Sequence, residues 1–116
     1  MTNTSRTLEL LRERGFRCGI VERYNQFTKQ RHDLFGIIDI IAIKHGQIYG
    51  VQSCGSSYAE HKRKILDTMY GVYWLEAGGE LLLVGWRKIK KKRGGKAMIW
   101  SPREYKFTLE DWRNGE

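Results

Sequence analysis

The stretch that most constrains this chain is Ile37-Ile38-Asp39-Ile40-Ile41-Ala42-Ile43. It is apolar on both alternating faces, which predicts a strand covered from both sides and hence central in its sheet. Lys44 follows, then His45-Gly46 as a two-residue turn, then a return strand over 47–54. One carboxylate, Asp39, interrupts the aliphatic run. A lone buried carboxylate is costly, so Asp39 must be paired, hydrogen-bonded, protonated or metal-bound. If Lys44 pairs with Gln47, stepping back along the hairpin sets Asp39 opposite Gln52 and Ile37 opposite Cys54. Directly opposite side chains share a face about 5 Å apart. A turn one residue longer would break this register.

Around this hairpin the patterns predict further elements. Residues 4–14 read as a helix with Leu8 and Leu11 on one side and Gly15 as its stop. Residues 16–24 read as a strand carrying Cys18, Ile20 and Glu22 on one face, and 25–32 as a polar, basic loop. Ser57-Tyr58-Ala59-Glu60 fits a capping box, opening a helix that runs to Ala77-Gly78-Gly79. Residues 80–86 form a strand. A basic hairpin arm follows over 87–96, then a return strand interrupted near Ser101-Pro102. Thr108 to Asp111 is another capping-box match, opening a short terminal turn. The expected architecture is a single α/β domain over 1–116. Its order is α-β-β-β-α-β-β, with a mixed central sheet flanked by helices.

Charge narrows the partner. The chain carries 21 Lys and Arg against 13 Asp and Glu, a formal net charge of +8. In so small a domain that balance favours a polyanion, with nucleic acid first. Seven of the ten residues from Arg87 to Lys96 are basic, so Arg87, Lys88, Lys90, Lys91, Lys92 and Arg93 are expected to contact DNA. Lys62 and Arg63, early in the second helix, are expected to join them. No apolar run is long enough for a membrane span and no basic amphipathic helix stands out, so a membrane partner is not expected. The first residues lack a signal-peptide core, and the expected location is the cytoplasm. With only Cys18 and Cys54 and no C-x-x-C pair, a structural zinc site is not expected and the thiols are read as free.

Three acids gather near the hairpin: Glu22, Asp33 and Asp39, with Gln52 facing the last. Hard oxygen donors suit Mg²⁺ or Mn²⁺, which bind few protein carboxylates and keep several waters. Each acid also has a plainer reading. Asp39 and Gln52 could form a structural polar pair, Asp33 could be a turn residue, and Glu22 could lie at a strand edge.

An Asp on a central strand, a short turn, a strand with an acid or amide, and then a helix resembles the PD-(D/E)XK nuclease superfamily. Asp33-Leu34-Phe35-Gly36-Ile37-Ile38-Asp39 and Gly50-Val51-Gln52-Ser53 are similar to small phage-type members near the VRR-NUC and Holliday-junction-resolvase groups. The resemblance implies a restriction-endonuclease-like fold and a metal-dependent endonuclease cutting DNA, including branched junctions. It assigns Asp39, Gln52 and the Ser53 carbonyl as metal ligands, aided by Asp33, with Glu22 or Glu9 as an upstream acid. The family's catalytic Lys falls at Cys54, and a thiol cannot do the work of an ammonium. Lys62 or Lys64 on the following helix is the expected substitute. Cutting a junction needs two coordinated nicks, so a homodimer is expected. The rival expectation is a catalytically degenerate nucleic-acid-binding module on the same fold.

Overall fold

The computed structural model describes residues 1–113. Helix α1 (Asn3–Glu13) leads into strand β1 (Arg17–Ile20), then β2 (Arg23–Asn25), β3 (Gln30–His32), β4 (Ile40–Lys44) and β5 (Gln47–Cys54). Helices α2 (Tyr58–Leu66) and α3 (Tyr70–Glu76) follow, then β6 (Glu80–Lys90), β7 (Met98–Lys106) and a short α4 (Glu110–Arg113). Five strands form one mixed sheet in the order β1-β4-β5-β6-β7, while β2 and β3 pair apart as a separate ribbon. Strands β5 and β6 run parallel, joined by the α2–α3 crossover.

Each face of the sheet is covered. On one, Leu8, Leu10 and Leu11 of α1 pack on Ile40, Ala42, Val51, Leu82 and Val84. On the other, Ile65, Trp74, Leu75 and Trp112 pack on Ile41, Cys54, Leu81 and Leu83. The alternation that predicted two-sided burial for the central hairpin is thereby met, up to Ile43, which is exposed at the strand end.

The hairpin register is the one the sequence predicts: Lys44 pairs with Gln47 and Ile40 with Val51. His45 and Gly46 both take positive φ, as a type I′ turn requires. The ladder, however, begins at Ile40 rather than Ile37, so Asp39 lies in the bend before β4 and its N–H bonds Val51 C=O instead of pairing with Gln52. Leu34-Phe35-Gly36-Ile37 closes as a turn, with Ile37 N–H donating to Leu34 C=O at 3.1 Å. Its two central residues, Phe35 and Gly36, have φ of 56° and 75°. Ile37 therefore does not ladder with Cys54, although both pack in the same core cluster.

Four further expectations are corrected. The strand over 16–24 divides, because Val21 makes the last pairing, to Asp39 C=O, before the chain leaves the sheet. The expected loop over 25–32 is half of a hairpin: Asn25 Oδ1 accepts from the N–H groups of Phe27 and Thr28 and so builds its turn. The long second helix is two helices. Trp112 Nε1–H donates to Thr68 C=O at 3.0 Å, and the Thr68 hydroxyl accepts from Tyr70 N–H, so the break is filled by side chains. Ser57 precedes α2, but its hydroxyl bonds His61 Nδ1 instead of capping the backbone.

Strand β7 is continuous through Pro102, which pairs with Trp86. An edge strand tolerates proline because its outer N–H positions need no partner. Gly78, at φ 97°, closes α3 as expected. At the terminal turn Thr108 N–H donates to Asp111 Oδ2 at 2.8 Å, half of the expected capping box.

Candidate functional site

Asp39 stands one residue ahead of β4, with its backbone held from both sides. Its N–H donates to Val51 C=O and its C=O accepts from Val21 N–H, each at 3.0 Å. From this bend its side chain reaches the C-terminal end of β5, where Gln52 and Ser53 lie. Gln52 Nε2 donates to Asp39 Oδ2 at 3.3 Å. The same oxygen accepts from the backbone N–H and the hydroxyl of Ser53, both at 3.2 Å. The Thr4 hydroxyl lies 3.3 Å from Ser53 Oγ, which ties the first turn of α1 to the site. Since Ser53 gives its proton to Asp39, Thr4 is the donor in that contact.

The other carboxylate oxygen, Oδ1, is buried and has no protein partner. Burial pushes the Asp39 carboxyl up, the Ser53 bonds pull it down, and the charges of Asp33 and Glu22 push it up again, to about 7. Both charged groups that shift it are acids, and they disfavour its ionised form. Cys54, on the same face, is raised to about 11 by burial and by the Asp39 charge, so it stays a neutral thiol at physiological pH.

The remaining sequence-predicted residues divide between the site and its surroundings. Asp33 is half-buried and also serves as a turn residue, its C=O accepting from Gly36 N–H at 2.9 Å. Glu22 is half-buried and lies 3.8 Å from Arg31. Lys62 does not turn to Asp39: its Nζ sits 3.8 Å above the Tyr105 ring. Arg63 and Lys64 are exposed on α2. Beside them Arg103 lies 4.1 Å over the Tyr58 ring, a cation the sequence did not single out.

The basic arm is a real β-ribbon. β6 and β7 stay paired out to Lys90 and Met98, and Lys91 N–H donates to Ala97 C=O at 2.9 Å. Arg87, Lys88, Lys90, Lys91, Lys92 and Arg93 project from it, all of them exposed. Trp100 lies between Lys88 and Arg6, whose guanidinium is 3.6 Å from the ring centroid.

The side chain of Ser53 is the main site group that sequence reasoning missed, having been considered only for its carbonyl. The signal for it was a second polar residue directly after Gln52 in the return strand. Among the described residues no three His, Cys, Asp or Glu side chains converge as a ligand cage. The unpartnered Oδ1 of Asp39 is the one oxygen of its carboxylate left for a cation, a donor type that a hard divalent ion takes. Neither Cys18 nor Cys54 is in a disulfide. Among the described residues no helix is long and apolar enough to cross a membrane. No protein-family model, no curated protein and no solved structure gives a match to this chain.

Proposed function

We propose that this chain is a Mg²⁺- or Mn²⁺-dependent DNA endonuclease of the PD-(D/E)XK kind, acting on branched DNA in the cytoplasm as a homodimer. The observation that carries the reading is the buried, unpartnered Oδ1 of Asp39, on a carboxylate held by Gln52 and within electrostatic reach of Asp33 and Glu22. Asp39 would hold the ion through that oxygen, with Asp33, Gln52 and the Ser53 carbonyl completing the protein donors. When bound, the ion supplies Lewis acidity toward a phosphoryl oxygen. Gln52 and Ser53 fix Oδ2 by three hydrogen bonds, which leaves Oδ1 as the free donor. The cations of the arm from Arg87 to Arg93 neutralise backbone phosphates and set the duplex against the sheet edge.

A second reading is a nucleic-acid-binding module without catalysis. Cys54 at the family's lysine position favours it, as does the engagement of Lys62 with Tyr105. Incubation of the protein with linear, flapped and four-way-junction DNA in Mg²⁺, Mn²⁺ or EDTA separates the two. Metal-dependent cutting that is abolished in Asp39→Ala is the expected result. Cutting that survives Asp39→Ala overturns the site, and binding without cutting in either metal selects the second reading. Sedimentation with and without a junction tests the dimer.

A further inference from the structure

The ribbon of β2 and β3 has no role in the core, since no residue from Arg23 to His32 is buried. Its composition is one-sided: Arg23, Lys29, Arg31 and His32 occur with Tyr24 and Phe27, and no carboxylate lies between Glu22 and Asp33. Phe27 at the tip is 96% exposed and Tyr24 is 59% exposed. A single exposed apolar side chain is ordinary, but here two exposed aromatic rings sit on one short ribbon among cations and line the same cleft.

The register groups these side chains by face. Tyr24 pairs with Arg31 and Arg23 with His32, so each face of the ribbon carries cationic or cation-capable groups. Arg23, Tyr24, Asn25, Gln26, Phe27 and His32 line an open cleft of about 530 Å³. The two stem residues, Glu22 and Asp33, are the acids whose charges reach Asp39. The ribbon therefore springs from the edge of the candidate site.

The geometry points to the β2–β3 ribbon as a clamp for unpaired nucleobases, in which Phe27 and Tyr24 stack on bases while Arg23, Lys29 and Arg31 hold the flanking phosphates. Aromatic rings interleaved with cations are the usual chemistry of single-strand binding, because every base offers a π-face and every linkage a charge. A closed duplex buries its bases in the stack and gives Phe27 nothing to contact. The ribbon thus selects DNA with an unpaired stretch next to the acids. This rests on the nucleic-acid part of the proposed function and not on catalysis.

The test is fluorescence anisotropy in EDTA with a labelled single strand and with the matching blunt duplex. Phe27→Ala and Tyr24→Ala together should weaken single-strand binding about tenfold or more and change duplex binding little. Phe27→Trp should retain it, and 2-aminopurine placed in the strand should be quenched by the wild type and not by the double variant. Equal single-strand binding by wild type and double variant overturns the clamp, as does an equal weakening on both DNAs. So does an effect confined to phosphatidylserine vesicles, which would make the exposed aromatics a lipid contact. The melting temperature should not move, since neither ring is buried. Because the assay runs in EDTA, failure of the nuclease reading leaves this outcome untouched, and Asp39→Ala should bind the single strand as the wild type does.

Discussion

Asp39, in the bend just ahead of β4, meets Gln52 of β5 through its side chain, the Gln52 amide donating to Asp39 Oδ2 at 3.3 Å while Asp39 Oδ1 stays buried without a partner. The pair is only half a solution to the cost of burying a carboxylate. Three donors serve one oxygen and none serves the other, and the two charges nearby repel the anion. The balance is a carboxyl raised to about 7, which titrates where a cell works.

That shift fixes the sign of a pH effect. A carboxyl raised in the folded state holds its proton there when the unfolded chain has released it. Without metal, stability should therefore fall as pH rises from about 4 to about 7 and level off above. The limit is on the order of 4 kcal/mol, less whatever local relaxation recovers. Urea unfolding across this range, compared with Asp39→Asn, checks it. The variant should lack the slope and should be the more stable protein at pH 8.

A divalent ion should reverse that effect, since it binds the charged form. Ca²⁺, a non-catalytic probe, should raise the melting temperature at pH 8 and do much less at pH 5, where Asp39 is protonated. Asp39→Asn should abolish the rise. Gln52→Glu should enlarge it by adding an anionic donor. An equal rise in wild type and Asp39→Asn would place the ion elsewhere.

The arm makes a separate prediction. Replacing Lys90, Lys91, Lys92 and Arg93 with Gln should weaken binding to any duplex and flatten the dependence of log K on log salt. The slope should drop by about 0.9 for each phosphate that is no longer neutralised. Melting should change little, since all four side chains are exposed.

Gly50 is required by a close approach. A Cβ there would lie 2.5 Å from Ile38 Cδ1 and 3.1 Å from Trp74 Cε2. Gly50→Ala should cost about 1–3 kcal/mol by overpacking. It should also disturb Asp39, because Ile38 is the residue before it. Chemical denaturation and the pH profile of the variant report the two effects.

On the opposite face the buried Trp86 indole donates to Thr7 Oγ1 at 2.8 Å. Thr7→Val keeps the shape and removes the acceptor, leaving a buried N–H unpaired. A decrease of about 1–3 kcal/mol in urea unfolding is expected.

The central hairpin was legible because its signals are local. Two-sided apolar alternation and a His-Gly turn define strand, partner and register from Ile40 to Val51, and that register brings Gln52 close enough to donate to Asp39, although the ladder itself stops one residue short of the pair. The mixed α/β sheet followed from the order of such segments, as did the basic arm from its run of charge. The helix break was not legible, because it depends on Trp112 reaching Thr68 from far along the chain. The start of β4 was missed because Phe35, a bulky residue, takes a positive φ that composition does not favour. The β2–β3 ribbon was hidden for a related reason: its strands are short and polar, and side-chain bonds from Asn25 define its turn.

The sequence by itself determined that a carboxylate is buried next to an amide at the mouth of the central hairpin, because strand alternation and turn length are short-range properties. Only the tertiary structure decided which groups surround that carboxylate. It brought the Ser53 hydroxyl to Oδ2, Asp33 and Glu22 into electrostatic range, and Lys62 onto Tyr105. Those outcomes depend on how a helix, a crossover and an edge strand pack around the hairpin. Coulomb energies and hydrogen bonds depend on distances in space, which separation along the chain does not fix.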